Sequence, residues 1–552
     1  MRRAFKMLGY EVKYIHHAAY ILGTFTLLSS LLAFLRDRLL AHTFGAGIDL
    51  DIYYAAFRLP DFIFVAIASL VSAYILIPEL LRRNNDERAY IETITAGFFL
   101  GIAVVGVVAY ALAPFLLSIL FPSLASAGYL EDLVPMTRIL LLQPILLGFS
   151  NILAAIMQVK SRYILYAIAP LLYNIGIMFG IVALYPLFGL AGLAWGVVLG
   201  AALHVGVQIP SVVRDGFFWT LPKIHDLKAL TRTILLSLPR TLALSMNQIV
   251  LLVFVSIAGL MTVGSISVFT FAFNLQAVPL AVIGASYSVA AFPMLSRMFS
   301  EGAHTEFIGQ IKTAARHIIF WSVPVIGLSV VLRAHLVRTI LGSGAFDWTD
   351  TRLTAAAFAL LILSLTAHAL TLLVVRGYYA AGKSLVPLIT QSFSALLAIA
   401  LGYIGFVYLP AGALLFLESL LRVEGVPGTA VLVLPLAYSV AVIGSTAVLL
   451  VWFERHFKGF LSGIGRVLSE GIAASGIGGA VSYAVLLLLG GISSATTFSS
   501  VFLHGFLAGV AGILAVFITL TLLGSRELSE TVRAFKRRVW EALPVASAEE
   551  EV

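Results

Sequence analysis

Long apolar runs alternate along the chain with short connections that hold nearly all of its charge. Crossing roughly 30 Å of hydrocarbon takes about 20 helical residues. Fourteen runs meet that length: 18–35, 53–80, 93–120, 134–157, 164–185, 189–212, 233–259, 266–295, 317–341, 353–379, 385–409, 430–453, 470–490 and 498–523. Backbone in lipid must satisfy its own hydrogen bonds, and these runs lack the alternation of barrel strands, so each predicts a helix. The expected fold class is an all-α polytopic membrane protein.

An internal echo groups the spans. Ala56-Phe57-Arg58-Leu59 returns as Ala272-Phe273-Asn274-Leu275 at an offset of 216, and both spans end in proline followed by arginine, Pro78 to Arg82 and Pro293 to Arg297. Lys160-Ser161 returns as Lys383-Ser384 at an offset of 223. Together these predict two parallel six-helix lobes, 18–212 and 233–453, with helices thirteen and fourteen (470–523) added. An even helix number makes such a repeat parallel, with a central cavity and alternating access as the expected consequence. A segment 1–17 precedes the lobes and a tail 524–552 follows.

Composition agrees with a bilayer solvent. The chain is 60% hydrophobic and 11% charged, with a mean hydropathy of +1.02, a surface that water would not keep dispersed. Most of the 35 Lys and Arg fall in alternate connections, among them Arg2, Arg3, Arg82, Arg83, Lys160 and Arg214. The opposite connections carry Glu131, Asp132, Asp347, Asp350, Glu418 and Glu424, with Arg352 and Arg422 as exceptions. Basic connections stay cytosolic, so both termini are expected there. The net charge of +8 then reads as topology rather than a nucleic-acid footprint. The first span runs into Arg36, Asp37 and Arg38 without a small-residue cleavage site, which predicts a retained helix. No cysteine is present, which excludes disulfides and thiolate metal sites.

Charges inside spans are costly, about 2.5 to 3.5 kcal/mol at a helix centre, and usually mark a wet cavity or a partner. Arg36, Asp37, Asp51, Arg58 and Asp61 cluster near helices one and two, and Arg240 follows Pro239 in helix seven. The pattern Gly377…Gly382-Lys383-Ser384 matches a phosphate-binding loop, but it ends an apolar span and Pro387 follows. A nucleotide site needs a strand before that loop, so none is expected. Gly192, Gly196 and Gly200 form a small-xxx-small ridge expected to serve helix packing. The eleven histidines show no metal-binding spacing. In the tail, Leu528, Val532, Phe535 and Val539 share a helical face, with Arg533, Lys536, Arg537 and Arg538 elsewhere, as expected for a helix on the anionic leaflet.

Phe34-Leu35-Arg36-Asp37, Phe44-Gly45-Ala46-Gly47, Asp51 and Phe57-Arg58-Leu59-Pro60, in that order and spacing, resemble the opening of the MurJ (MviN) lipid II flippases of the multidrug/oligosaccharidyl-lipid/polysaccharide exporter superfamily. Ala169-Pro170 with Asn174, Leu193-Ala194-Trp195 with Gln208 and Pro210, Gly344 with Phe346, and Arg376-Gly377-Tyr378-Tyr379-Ala380 continue the likeness. The resemblance implies export of undecaprenyl-diphosphate-linked peptidoglycan precursor, lipid II, from inner to outer leaflet by a transporter that is not an enzyme. It also implies a groove for the lipid tail along helices thirteen and fourteen. Cavity arginines suit a diphosphate because charge-assisted, often bidentate bonds offset its desolvation. The sequence departs from the family where relatives carry such arginines, holding Ser30, Phe64 and Asn274. The substrate-binding set expected is therefore Arg36, Asp37, Asp51, Arg58, Asn274 and Arg240, the last as a replacement cation.

Some relatives are proposed to bind sodium through acidic and amide groups on helices seven and eleven, yet 233–259 and 385–409 contain no Asp or Glu here, only the neutral Asn247, Gln248 and Gln391. The expected partners are a polyprenyl-diphosphate-linked glycan and membrane lipids. Nucleic acid, nucleotide, metal and cofactor are not expected, and the chain is expected to act as a monomer. The alternatives are a flippase for another polyprenyl-linked oligosaccharide and a drug or cation antiporter of the same superfamily. The antiporter would want a carboxylate-lined cavity, whereas the charges here lean basic. An integral glycan polymerase would need catalytic groups on a sizeable outer loop, and the longest, 410–429, offers only Glu418, Arg422 and Glu424. A non-transporting scaffold would carry a soluble domain, and the pattern contains none.

Overall fold

The computed structural model describes residues 15–68, 71, 76, 77, 79, 80, 86–160, 162–218, 221–490 and 497–533. Pro78, Arg82, Arg83, Ser161, residues 1–14 and the tail from 534 on, with Phe535, Lys536, Arg537, Arg538 and Val539, lie outside them. Among the described residues the chain is helical and has no strand. Among the described residues eleven helices are long and apolar enough to cross a membrane, or up to twelve if Trp348–Ile362 and Leu365–Ala380, bent by 44°, form one span. Ile15–Phe44 and Ile48–Ile63 coincide with the first expected span and the start of the second, and the described residues do not by themselves establish fourteen. The described helices are those of a multi-pass membrane protein.

Several expected spans are broken by their own residues. Span 134–157 is two helices, Leu130–Leu140 and Leu142–Val159. Wide π-turns interrupt three others at Phe64–Ala68, Gly180–Leu184 and Leu280–Ala285. The first follows Pro60 and the third follows Pro279, where a missing N–H and a ring clash disturb the helical ladder. Phe64 and Leu280 also stand 216 residues apart, the offset of the sequence repeat. The connection expected over 410–429 instead holds a helix, Ala411–Leu421.

The chain forms two compact units: Met1–Leu275 with Ile340–Leu360 and Lys383–Ser445, and Gln276–Thr339 with Leu361–Gly382 and Thr446–Val552. The first unit thus draws on both expected lobes. Its core includes Ile91, Ile94, Ile152 and Ile156, while Leu100, Val107 and Phe115 are exposed on Glu87–Leu120. An outward apolar face is stable only against lipid.

Two contacts fix the first unit's helices. A Cβ on Gly176 would lie 2.2 Å from Gly200 Cα, one on Gly180 2.5 Å from Gly196 Cα, and one on Gly192 2.3 Å from Leu184 O. The ridge of Gly192, Gly196 and Gly200 therefore meets a matching ridge on the preceding helix, and backbones touch where any side chain would separate them. At one end of the unit, Ala345 N donates to His42 O at 2.9 Å and Ala46 N donates to Asp350 Oδ2 at 3.1 Å. Gly45 and Gly344 take φ of +61° and +56° there, which favours glycine. Two separated motif loops, 44–47 and 344–346, are thus one clasp.

In the second unit, helices Ile464–Leu488 and Phe498–Leu522 pack through Gly478 and Gly512. Arg316 Nε donates to the buried Glu527 at 2.6 Å, joining the start of the tail to helix His304–Leu341. Gly377 of the loop-like pattern lies inside Leu365–Ala380, where Ile311 and Phe453 would crowd a Cβ at 2.7 and 3.4 Å. Its role there is packing.

Candidate functional site

Arg36 and Asp37 sit in the final third of Ile15–Phe44. Arg36 Nε and one terminal nitrogen donate to Asp37 Oδ1 at 2.9 and 2.7 Å, and the other terminal nitrogen donates to Asn174 Oδ1 at 3.1 Å. Asn274 Nδ2 donates to the second Asp37 oxygen at 3.1 Å. Asn174 Nδ2 is in turn tied to Pro170 O at 3.1 Å. One polar group thus unites three helices, Ile15–Phe44, Tyr163–Phe179 and Ser265–Pro279. Bonds to ionised groups are worth about 1.5–3 kcal/mol each, enough to fix the rotamers of side chains that would otherwise be mobile.

Arg58 lies on Ile48–Ile63, within a turn of Asp61. Its Nε donates to Tyr54 O at 3.1 Å, and the half-buried guanidinium has no further hydrogen bond and no ion pair among the described residues. Among the described residues its two terminal nitrogens make no hydrogen bond, and Asp61 attracts the guanidinium electrostatically. A fixed fork with both tips open is the geometry that a phosphate or carboxylate accepts bidentately.

Asp51 is differently placed. Only 4% exposed, it accepts from Gly264 N at 2.7 Å on one oxygen and from Ser267 N at 2.8 Å and Ser267 Oγ at 2.6 Å on the other. Gly264 and Ser267 bracket the start of Ser265–Pro279, where the first N–H groups of a helix lack intrahelical partners. Asp51 therefore caps the helix that carries Asn274, from another helix rather than from within it. Gly264 fits only as glycine, because at φ +91° a Cβ would be 2.1 Å from Ala46 O. Arg240, half-buried on Leu227–Ala258 after Pro239, is not among the bonded partners of Arg36, Asp37 and Asn274.

Of the six expected site residues, hydrogen bonds join Arg36, Asp37 and Asn274, while Arg58, Asp51 and Arg240 stand apart from that group. Sequence reasoning left Asn174, Ser267 and Gly264 outside the set. Asn174 was visible only as part of a motif, with no sign of what it touches. Ser267 carried a usable signal, since it lies 216 residues after Asp51, the repeat offset itself.

The family described as lipid II flippase MurJ matches residues 40–507. A lipid II flippase MurJ of Burkholderia cenocepacia is 25% identical over 369 residues, covering 64% of this chain and 71% of its own. A probable lipid II flippase MurJ of Thermotoga maritima is 25% identical over 381 residues, covering 67% and 74%. Among solved structures, a lipid II flippase MurJ in an inward closed conformation superposes with a TM-score of 0.72 at 21% identity, covering 91% of this chain and 98% of that one. An inward-facing multidrug resistance transporter of the MATE family superposes at 0.61 with 15% identity, covering 80% and 96%. The structural likenesses are likenesses of fold.

Proposed function

The chain belongs to the lipid II flippase MurJ family, and from that premise we propose that it carries lipid II from the inner to the outer leaflet, exposing one site to the two sides of the membrane in turn. The observation that supports the site is Arg58: a half-buried cation steered by a bond to Tyr54 O, whose terminal nitrogens make no hydrogen bond among the described residues. Removing a diphosphate from water is prohibitive without compensation, and a pre-aimed guanidinium compensates it with two parallel bonds.

Arg36 is the second cation of this reading. Asp37 and Asn174 hold it by hydrogen bonds, and Asn274 in turn holds Asp37, so Arg36 meets the headgroup only by exchanging one of its own two partners. Asn274, standing where relatives carry an arginine, supplies a neutral donor and leaves the local charge to Arg36 and Arg58. Asp51 serves as a positioning residue, since both its oxygens are occupied by the helix start they cap. Arg240 remains the candidate for an additional cation. The termini lie in the cytosol and the chain works as a monomer.

The test is genetic. Cells depleted of their own lipid II flippase should grow when this chain is expressed and inserted in the inner membrane. Full membrane insertion without growth would overturn the assignment of substrate.

A further inference from the structure

The helix Ala411–Leu421 lies in what the sequence pattern leaves as a connection. It has eleven residues, about 16 Å at 1.5 Å per residue, which is too short to span hydrocarbon. Its inward side buries Leu417 and Leu421. Its outward stripe is Ala411, Gly412, Leu415, Phe416, Ser419 and Leu420, all exposed, and Leu415, Phe416 and Leu420 reach 62%, 65% and 62%. The helix is therefore apolar on both sides, which a water-facing loop would not sustain.

It is also fixed in place. Arg352 donates to Arg422 O at 2.8 Å, Thr429 Oγ1 donates to Glu418 Oε1 at 2.5 Å, and Val423 and Val426 are buried just beyond the helix. Its exposed stripe continues a surface that already faces lipid. Tyr403, Ile404, Val407 and Tyr408 are exposed along the end of the spanning helix Leu385–Tyr408, and only Leu409 and Pro410 separate that end from Ala411. Tyrosines at the end of a spanning helix mark the headgroup level, where an aromatic body and a polar tip are both accommodated. Tyr403 and Tyr408 set that level, and the polar Arg422 and Glu424 follow the apolar stripe.

We propose that Ala411–Leu421 is an in-plane anchor: it lies along the membrane surface with Leu415, Phe416 and Leu420 seated in the headgroup–acyl boundary of the leaflet at that end, the outer leaflet on the orientation above. The occupant of this face is lipid, because the face is continuous with a spanning surface that only lipid can cover.

The absence of cysteine from the chain permits a direct test on the full-length protein in phospholipid vesicles. An environment-sensitive fluorophore is attached at Leu415→Cys, Phe416→Cys, Leu420→Cys or, as the aqueous reference, Glu424→Cys. Any one of the three apolar positions suffices, and each is a surface side chain whose replacement leaves the core intact. Adducts at 415, 416 and 420 should be quenched several-fold more by lipids bearing a nitroxide near the headgroup than by iodide in the buffer, and the 424 adduct should show the reverse. Iodide quenching equal to that at 424 would overturn the anchor in favour of a water-facing loop. Quenching by neither agent would overturn it in favour of cover by protein, including a second copy. Strongest quenching by a nitroxide deep in the acyl chain would overturn the in-plane orientation.

Discussion

Replacing Asp51 with alanine removes the acceptor for three donors at once: Gly264 N, Ser267 N and Ser267 Oγ, at 2.7, 2.8 and 2.6 Å. With only 4% of the residue exposed, water does not readily take its place. A buried donor left unsatisfied costs about 1–3 kcal/mol, so three cost about 3–9 kcal/mol, a large share of the 5–15 kcal/mol that typically holds a folded domain. Asp51→Asn keeps an oxygen for Ser267 but turns an amide donor toward the Gly264 N–H, and should lose about 1–3 kcal/mol. Ser267→Ala removes one bond of the three. The apparent thermal unfolding midpoint of purified protein should therefore fall most for Asp51→Ala. Ser267→Ala should cost less on an Asp51→Ala background than alone, because the two residues share one interaction. Strictly additive effects, or an Asp51→Ala protein as stable as the unaltered one, would refute the capping argument.

Two positions follow the same logic of local cost. Gly196→Val places atoms where Gly180 Cα would already lie 2.4 Å from a Cβ, and overpacking of about 1–3 kcal/mol or more should sharply reduce the folded protein. Gly206→Ala meets nothing within 4 Å and should be tolerated, as expression and melting will show. A reporter fused after Arg83 or at the C-terminus should be cytosolic, and one placed in 122–132 or 342–350 outside, because basic connections resist translocation; the inverse pattern would reverse the proposed direction of export. With no Asp or Glu in 233–259 or 385–409, outward movement of an anionic headgroup should draw on the membrane potential, about 2.3 kcal/mol per charge per 100 mV. Export should then stop when the potential is dissipated and persist when potassium replaces sodium at constant potential. Loss of activity without sodium would point to a neutral-ligand sodium site.

The helical class and the glycine ridge were legible because each is periodic or local: apolar runs of span length, and three glycines four residues apart. Gly192, Gly196 and Gly200 announced close packing, but their partners Gly176 and Gly180 depend on which helix lies opposite, and that is a tertiary fact. Arg36 and Asp37 stood out as charges in an apolar run. The contact of Arg36 with Asn174, 138 residues away, is set by the rotation of two helices, for which hydrophobicity alone gives no phase when both faces are apolar. Ala411–Leu421 escaped recognition because it is too short to count as a span and carries no polar face to give it a period. The breaks at Leu141 and in the π-turns were missed for a related reason, since a disturbed ladder leaves composition unchanged. Asp51 stands out in the sequence by its residue type and motif, whereas its capping role depends on Gly264 and Ser267, distant along the chain, meeting its oxygens in the fold.

The most direct measurement is the rate at which the lipid II headgroup appears in the outer leaflet of cells whose only flippase is this chain, compared at equal membrane-inserted amounts for the unaltered protein, Arg58→Lys and Arg58→Ala. The unaltered chain should export. Arg58→Lys should retain part of the rate, since a point cation replaces the fork. Arg58→Ala should fall by roughly tenfold to a hundredfold, the equivalent of one lost charged hydrogen-bond partner at about 1.5–3 kcal/mol. An Arg58→Ala rate equal to that of the unaltered chain would contradict the site, and no headgroup export by the unaltered chain would contradict the function.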